Sequence, residues 1–146
     1  MSCCNDRKNP HYKSAQNAYN NTTQTIDATG TPVAVLGILN TDTGCSLATN
    51  TGGFVVRHSG LYRIAYDVTF VAGAAGIVTL QGLKDTAALP CMATQATVAA
   101  NGTYTLHAET TVYIPVCCNG TPTISAALSG VAGTVTHVCA SAVKLA

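Results

Sequence analysis

Charged side chains are scarce in this sequence. Asp, Glu, Lys and Arg make up 9% of its 146 residues, against about 25% in a typical soluble protein. Between Thr86 and Val143 the only formally charged residue is Glu109. The net charge of +1 gives no electrostatic reason to expect nucleic acid or an anionic membrane as a partner. So little charge over so long a stretch predicts surface that is covered in an oligomer or a larger assembly.

Targeting segments and catalytic motifs are also missing. The first residues, MSCCNDRKNP, are polar, and no run of about 18 apolar residues occurs, so we expect neither a signal peptide nor a transmembrane helix. The sequence has no GxSxG, HExxH or Gly-rich phosphate loop. Its four histidines are scattered, and the closest Cys–His pair, His137 with Cys139, has no third group to orient it. We therefore expect no enzymatic activity and no cofactor.

Cysteine is the exception to this scarcity, since seven are present and the odd number prevents complete pairing within one chain. Burial as small apolar side chains is the favoured interpretation. Disulfides formed after release from the cell are an alternative. A metal site that joins Cys117, Cys118 or Cys139 to a histidine is another, although no CxxC spacing supports it, and we expect no bound metal.

Short strands are predicted from Ile26 onwards. Turn clusters such as NTDTG and NTGG separate short segments that are apolar or alternate between apolar and polar residues. These segments are PVAVLGIL, FVVRHSG, IVTLQGLK and TYTLHAETTVYIP. Asn101-Gly102 is a strong hairpin signal. No segment has helical periodicity with caps, so the sequence predicts an all-β sandwich or barrel.

The segment 59–70, SGLYRIAYDVTF, alternates most clearly. From Tyr62 onwards its even positions are apolar and its odd positions are small or polar, as a half-buried strand requires. Ala65 and Thr69 on the small face could then approach a neighbouring molecule. The predicted protomer core consists of Phe54, Tyr62, Ile64, Tyr66, Val68 and Phe70.

Residues 1–25 differ from the rest, because they hold no aliphatic residue larger than Ala but five Asn and three Lys or Arg. Such a segment cannot bury enough apolar surface to fold alone. We predict an extended N-terminal arm over 1–25, followed by a head domain over 26–146. The arm is expected to become ordered on a protein scaffold. The predicted attachment contacts are Arg7, Lys8, Tyr12, Lys13 and Tyr19.

The stretch GGFVVRHSGLYRIAYDVTF resembles the hallmark region of the complement-globular-head and tumour-necrosis-factor-like jelly rolls. The matching positions are Gly53, Phe54, Gly60, Leu61, Tyr62, Val68 and Phe70. TYTLHAETTVYIP is similar to the family's next long strand, and HVCASAVKLA to its closing strand. The resemblance covers residues 30–146 and implies a ten-strand, two-sheet jelly roll that forms a tight homotrimer with inner sheets around the threefold axis. A monomeric sandwich is the alternative.

Two structural functions agree with this fold. The favoured one is a phage capsid decoration or head-fibre trimer, made in the host cytoplasm and located in the virion. The alternative is a spore-coat or bacterial surface module, on the spore or the cell surface. A ligand-binding head, with a host-surface glycan as partner, is a third candidate. The expected partners are a second and third copy of this chain and a capsid or other protein scaffold.

Overall fold

All regular secondary structure in the described part of this chain consists of β-strands. The computed structural model describes residues 14–35, 39–43, 46–116 and 120–146, with the backbone alone for 39–43. These residues contain twelve strands and no helix. The strands are β1 (Ala15–Asn20), β2 (Gln24–Ile26), β3 (Thr31–Pro32), β4 (Leu39–Thr43), β5 (Leu47–Asn50), β6 (Gly53–Val56), β7 (Gly60–Ala72), β8 (Gly76–Lys84), β9 (Ala87–Val98), β10 (Thr103–Ile114), β11 (Thr123–Ser129) and β12 (Gly133–Lys144). The predicted all-β class is confirmed, with the very short β2 and β3 raising the count above ten.

The strands form two antiparallel sheets. Sheet A has the order β10-β7-β12-β1-β4, with β2 beside β12. Sheet B has the order β5-β6-β11-β8-β9, with β3 beside β11. The predicted two-sheet sandwich is therefore confirmed. No helix among the described residues is long and apolar enough to cross a membrane.

The core lies between the sheets and is centred on β7. Alternate residues of β7 are buried, from Gly60 to Ala72, while the intervening ones reach the surface. The six residues predicted for the core are each at most 1% exposed: Phe54, Tyr62, Ile64, Tyr66, Val68 and Phe70. The rings of Phe54 and Tyr66 join the two sheets edge to face, with centroids 6.2 Å apart and planes at 73°, an arrangement that aromatic quadrupoles favour.

Strand β1 differs from the prediction for residues 1–25. It lies inside sheet A, paired with β12 on one side and β4 on the other. Its inward positions are Gln16, Ala18 and Asn20, which bury hydrogen-bonded amides instead of large aliphatic groups. Gln16 Nε2 donates to the Leu47 carbonyl at 3.2 Å, and Asn20 Nδ2 donates to the Ala34 carbonyl at 3.1 Å. These bonds satisfy the buried polar atoms, and Ala15–Asn20 is a strand of sheet A although it lies within the segment 1–25.

Two further strands lie where the sequence did not predict them. The turn cluster NTDTG overlaps β4, and β9 occupies a segment that contains Pro90 and many Ala. The pairing register between β8 and β9 shifts at one point. Ala88 and Ala93 of β9 pair with two positions on β8 that are only two residues apart. Gln81 Nε2 bonds three carbonyls at this irregularity, those of Gly82, Leu89 and Met92, at 2.8, 2.9 and 3.2 Å. This edge tolerates Pro90 because the ladder is already interrupted there.

The turn predicted at Asn101-Gly102 joins β9 to β10, but it closes no hairpin, because β9 belongs to sheet B and β10 to sheet A. Asn101 has a φ of 64°, a left-handed conformation that Asn adopts more readily than most residues. The turn connects the edge strands of the two sheets. There the Tyr104 hydroxyl accepts a hydrogen bond from the Ala99 N–H at 2.8 Å.

Candidate interaction face

The solvent-facing side of sheet A presents a broad surface, here named the A face. Strand pairing aligns its outward residues in rows across β10, β7, β12 and β1. The side chains that define the A face are Tyr113, Leu61 and Leu145 in the first row, Thr111, Arg63, Val143 and Ala15 in the second, Glu109, Ala65, Ser141 and Asn17 in the third, His107, Asp67, Cys139 and Tyr19 in the fourth, and Thr105, Thr69 and His137 in the fifth.

One part of the A face is small and uncharged. The outward residues of β12 and β1 in the second and third rows are Val143, Ala15, Ser141 and Asn17. Short side chains leave this part low, so another protein surface can approach the sheet closely. Few rotamers would be lost there on contact, since small side chains have little conformational entropy to lose.

One end of the A face is apolar. Tyr113 is 61% exposed and Leu145 is 43% exposed, and they are two of the three large apolar residues exposed among the described residues. Leu61, on β7, lies between them and is opposite Tyr113 of β10. The Leu61 carbonyl accepts a hydrogen bond from the Leu145 N–H at 2.7 Å. The three side chains form one continuous apolar row, which is the kind of patch that marks contact with another protein.

The remaining charge of the A face is gathered in four residues, here named the charged quartet: Arg63, Asp67, His107 and Glu109. Arg63 forms an ion pair with Glu109. His107 lies between two carboxylates, with Nδ1 at 2.7 Å from Asp67 Oδ1 and Nε2 at 3.1 Å from Glu109 Oε2. The quartet is held by the antiparallel pairing of β7 and β10, which puts His107 directly opposite Asp67.

The pKa values of the quartet follow from these contacts. Hydrogen bonds to Asp67 and then to Glu109 raise the pKa of His107 above its ordinary value. Hydrogen bonds from His107 and Arg63, with the charges of both, lower the pKa of Glu109. Both directions favour the fully ionised network. All four side chains are between 30% and 57% exposed, so in the isolated protomer water screens these interactions.

The solvent-facing side of sheet B, here named the B face, has a different character. Its outward residues on β8, β9 and β11 include Thr79, Gln95, Ala127 and Ser129, and Ile77 is exposed at one end. These residues carry no charge and form no continuous apolar row. The A face therefore has the stronger features of a contact surface.

Of the predicted attachment residues, only Tyr19 is described. It lies on β1 in the fourth row of the A face, opposite Cys139, and is partly exposed. Arg7, Lys8, Tyr12 and Lys13 lie outside the described residues. Tyr19 is therefore a residue of strand β1 in sheet A.

The described cysteines contradict the favoured prediction of burial. Cys91 and Cys139 are free and exposed, because each occupies an outward position on its strand. Cys3, Cys4, Cys45, Cys117 and Cys118 lie outside the described residues. Within the described part of the chain, no group of three or more His, Cys, Asp and Glu residues could hold a metal ion.

The histidines do not form a nucleophilic site in the part of the chain that the structure describes. His137 Nδ1 contacts Asn21 Oδ1 and not the Cys139 thiol. Ser46 Oγ lies 3.3 Å from His58 Nδ1, a contact that sequence spacing could not show. Among the residues that the structure describes, no carboxylate is a hydrogen-bond partner of that pair, and Ser46 is only 1% exposed. A buried hydroxyl with no orienting acid does not have the geometry of an activated nucleophile.

The charged quartet was not predicted from the sequence. His107 and Glu109 are two apart on one strand, so a common face could be read from the alternation. Their neighbours Arg63 and Asp67 are about 40 residues away along the chain, and only the register of β7 against β10 brings them together. A one-residue slip of that register would separate all four.

Comparison with known proteins finds similarity in structure alone. No protein-family model matches the chain, and no curated protein sequence matches significantly. Among solved structures, murine APRIL at pH 5.0 is similar over 91% of this chain and 99% of its own, with a TM-score of 0.68 and 12% identity. PRD1 vertex protein P5 is similar over 90% of this chain and 72% of its own, with a TM-score of 0.65 and 13% identity.

A third similar structure is the globular domain of zebrafish complement 1qA protein. It matches 88% of this chain and 94% of its own length, with a TM-score of 0.60 and 11% identity. At such identities the likeness concerns the fold. It confirms the resemblance inferred from the Gly-Phe pair and the long aromatic strand: the chain has the jelly-roll fold of the tumour-necrosis-factor-like and complement-globular-head proteins.

Proposed function

We propose that this chain is a non-enzymatic structural protein that forms a homotrimer through its A face and attaches to a larger protein particle, a phage capsid above all. The observation that carries the proposal is the composition of the A face. It combines an exposed apolar row, a low uncharged part and a single quartet whose charges are paired with one another. Such a face can be covered without leaving an unpaired charge in the contact.

The sequence resemblance supports this choice of face, because it implies inner sheets around a threefold axis. Self-association through the A face also accounts for the low charge of β10 and β12, although it leaves that of β9 and β11 in sheet B without an explanation. The match to a vertex protein supports a particle over a free ligand-binding head. These points favour the virion as the location.

Attachment is assigned in this proposal to the residues that precede β1. Arg7, Lys8, Tyr12 and Lys13 offer charge-assisted hydrogen bonds and aromatic contacts. Three N-terminal segments would emerge from one trimer and bind together, so that their effective concentration strengthens a weak individual contact. In this proposal Tyr19 takes part in the subunit contact instead, because it lies on the A face.

Deletion of residues 1–13 tests the attachment. We expect the truncated protein to keep its fold and its oligomeric mass but to lose co-sedimentation with capsids. Deletion of residues 1–25 is unsuitable, since it would remove β1 from the middle of sheet A. Normal co-sedimentation of the shorter deletion would show that the jelly roll itself makes the contact.

A further inference from the structure

We propose that the A face associates with His107 in its charged form, so that formation of the oligomer takes up protons. This inference rests on the proposed function, because it concerns the regulation of the same subunit contact. It is carried by the position of one imidazole ring between two carboxylates, on the face that association would cover.

The geometry requires two protons on the ring. Each ring nitrogen of His107 faces a carboxylate oxygen, at 2.7 Å for Asp67 and 3.1 Å for Glu109. A neutral imidazole has a single N–H, so it can donate to only one of them. Its other nitrogen would then direct a lone pair at a carboxylate. Only the imidazolium makes both hydrogen bonds.

The charge balance of the quartet leads to the same state. Arg63 supplies one positive charge, and Asp67 and Glu109 supply two negative charges. The quartet is therefore neutral when His107 is protonated and carries one negative charge when it is not. Since a charge that is not balanced is expensive to remove from water, covering the A face favours the protonated ring.

Among the described residues, the elements around His107 supply no other cation that could take its place. On the other side of β7 from His107, Cys139 of β12 pairs with Asp67. Tyr19 of β1 pairs in turn with Cys139. His137 on β12 lies one row away, opposite Thr69, with its Nδ1 at Asn21. From β9 the hydroxyl of Thr94 donates to the His107 carbonyl and brings no charge. Among these neighbours Arg63 is the one permanent cation, and it is already paired with Glu109.

The direction of the pH effect follows from proton linkage. In the free protomer the two carboxylates already raise the pKa of His107, and covering the face would raise it further. Association is then strongest below the pKa of the free protomer. It weakens as the pH rises through the higher pKa of the associated state, and it becomes independent of pH above that value.

The test compares four proteins by sedimentation velocity and by subunit exchange between two labelled populations, across a range of about pH 5.5 to pH 8.5. Subunit exchange reports a weakened contact even where the dissociated fraction is small. Wild type should exchange at least about tenfold faster at the upper end of the range, as one proton per contact allows. His107→Gln should exchange rapidly at every pH, because its quartet is never neutral. His58→Gln is the matched control, because His58 is an exposed histidine outside the A face, and it should behave like wild type.

Asp67→Asn tests the charge balance itself. It keeps the Arg63–Glu109 pair and leaves a quartet that is neutral without a proton on His107, so its association should stay strong at the upper end of the range. An oligomer whose exchange does not depend on pH, or whose pH dependence survives His107→Gln, would overturn the inference and leave the proposed trimer intact. A wild-type monomer at every pH would instead overturn the proposed function. The unfolding midpoint of each variant shows that its protomer remains folded.

Discussion

Gly53 packs against the hydroxyl group of Tyr66. A Cβ atom built on Gly53 would be within 3.0 Å of both that oxygen and the Ile124 carbonyl oxygen. This contact explains why a glycine precedes Phe54 at the start of β6 while an aromatic ring fills the centre of β7. The Gly-Phe pair and the long aromatic strand are two parts of one packing arrangement between the sheets.

Replacement of Gly53 by Ala should therefore destabilise the fold strongly. One of the two close atoms belongs to the backbone of β11 and cannot move without disturbing the ladder, so we expect a loss of about 1–3 kcal/mol, as for other overpacked cores. Gly52→Ala is the matched control, since its nearest neighbours lie at 3.9 Å. Chemical denaturation measures both. Addition of Tyr66→Phe to Gly53→Ala should not restore stability, because the clash with Ile124 remains.

Truncation of Tyr66 should be among the most costly changes in the protomer. Its side chain is 0% exposed, and removal of a buried aromatic ring typically costs about 3–5 kcal/mol. Tyr113→Ala is the comparison, because Tyr113 is 61% exposed and its loss should change the stability of the protomer little. Equal unfolding midpoints for the two variants, measured at a protein concentration where only protomers are present, would contradict the register of β7.

The fold was predictable because the alternation of apolar and polar residues in β7 is visible in the sequence. Tyr62, Tyr66 and Phe70 recur at even positions, and that period needs no tertiary context. Strand β1 could not be found in this way, since its inward Gln16 and Asn20 are buried through hydrogen bonds to distant backbone. Strand β9 escaped prediction because Pro90 and its neighbouring alanines have low strand propensity, and an irregular edge accepts them.

The candidate site was less predictable than the fold. The scarcity of charge near Glu109 indicated a covered surface but could not say which sheet carried it. Alternation shows that Asp67 faces outward, yet its contact with His107 depends on the pairing of β7 with β10. Register is set by the whole hydrophobic pattern, and so the charged quartet becomes visible only once the strands are paired.

The pKa of His107 should fall when either acceptor is removed. Asp67 is the larger cause of the upward shift and Glu109 the second, so Asp67→Asn should lower the pKa more than Glu109→Gln. Titration by NMR of the His107 ring protons measures both, in a protomer kept dissociated by dilution. A pKa that is unchanged in both variants would show that the ring does not contact the carboxylates in solution.

The same contacts give the protomer a small dependence of stability on pH. Because the folded pKa of His107 is raised, its contribution to stability is fully present below the ordinary pKa of 6.5. It is lost as the pH rises through the folded value. The ring is 51% exposed, so the effect should be modest. His107→Gln should remove it, which unfolding midpoints measured across this range can show.

Cys139 and Cys91 report on the two faces separately. Both thiols are exposed in the protomer, but Cys139 lies on the A face and Cys91 on β9 of sheet B. In the oligomer, alkylation of Cys139 should be much slower than alkylation of Cys91, as quantified by peptide mass mapping after brief treatment with iodoacetamide. Dilution to the protomer should make the two rates similar. Protection of Cys91 instead would assign the subunit contact to sheet B.

The measurement that most directly tests the account is the solution mass of a matched pair of variants, Ser141→Asp and Ser129→Asp. Both serines are half-buried and point outward from a strand, Ser141 on the A face and Ser129 on the B face. An unpaired carboxylate in a covered contact costs several kcal/mol. Light scattering should therefore give a trimer for wild type and for Ser129→Asp, and a folded monomer for Ser141→Asp. A wild-type monomer, or a trimer that survives Ser141→Asp and dissociates with Ser129→Asp, would contradict assembly through the A face.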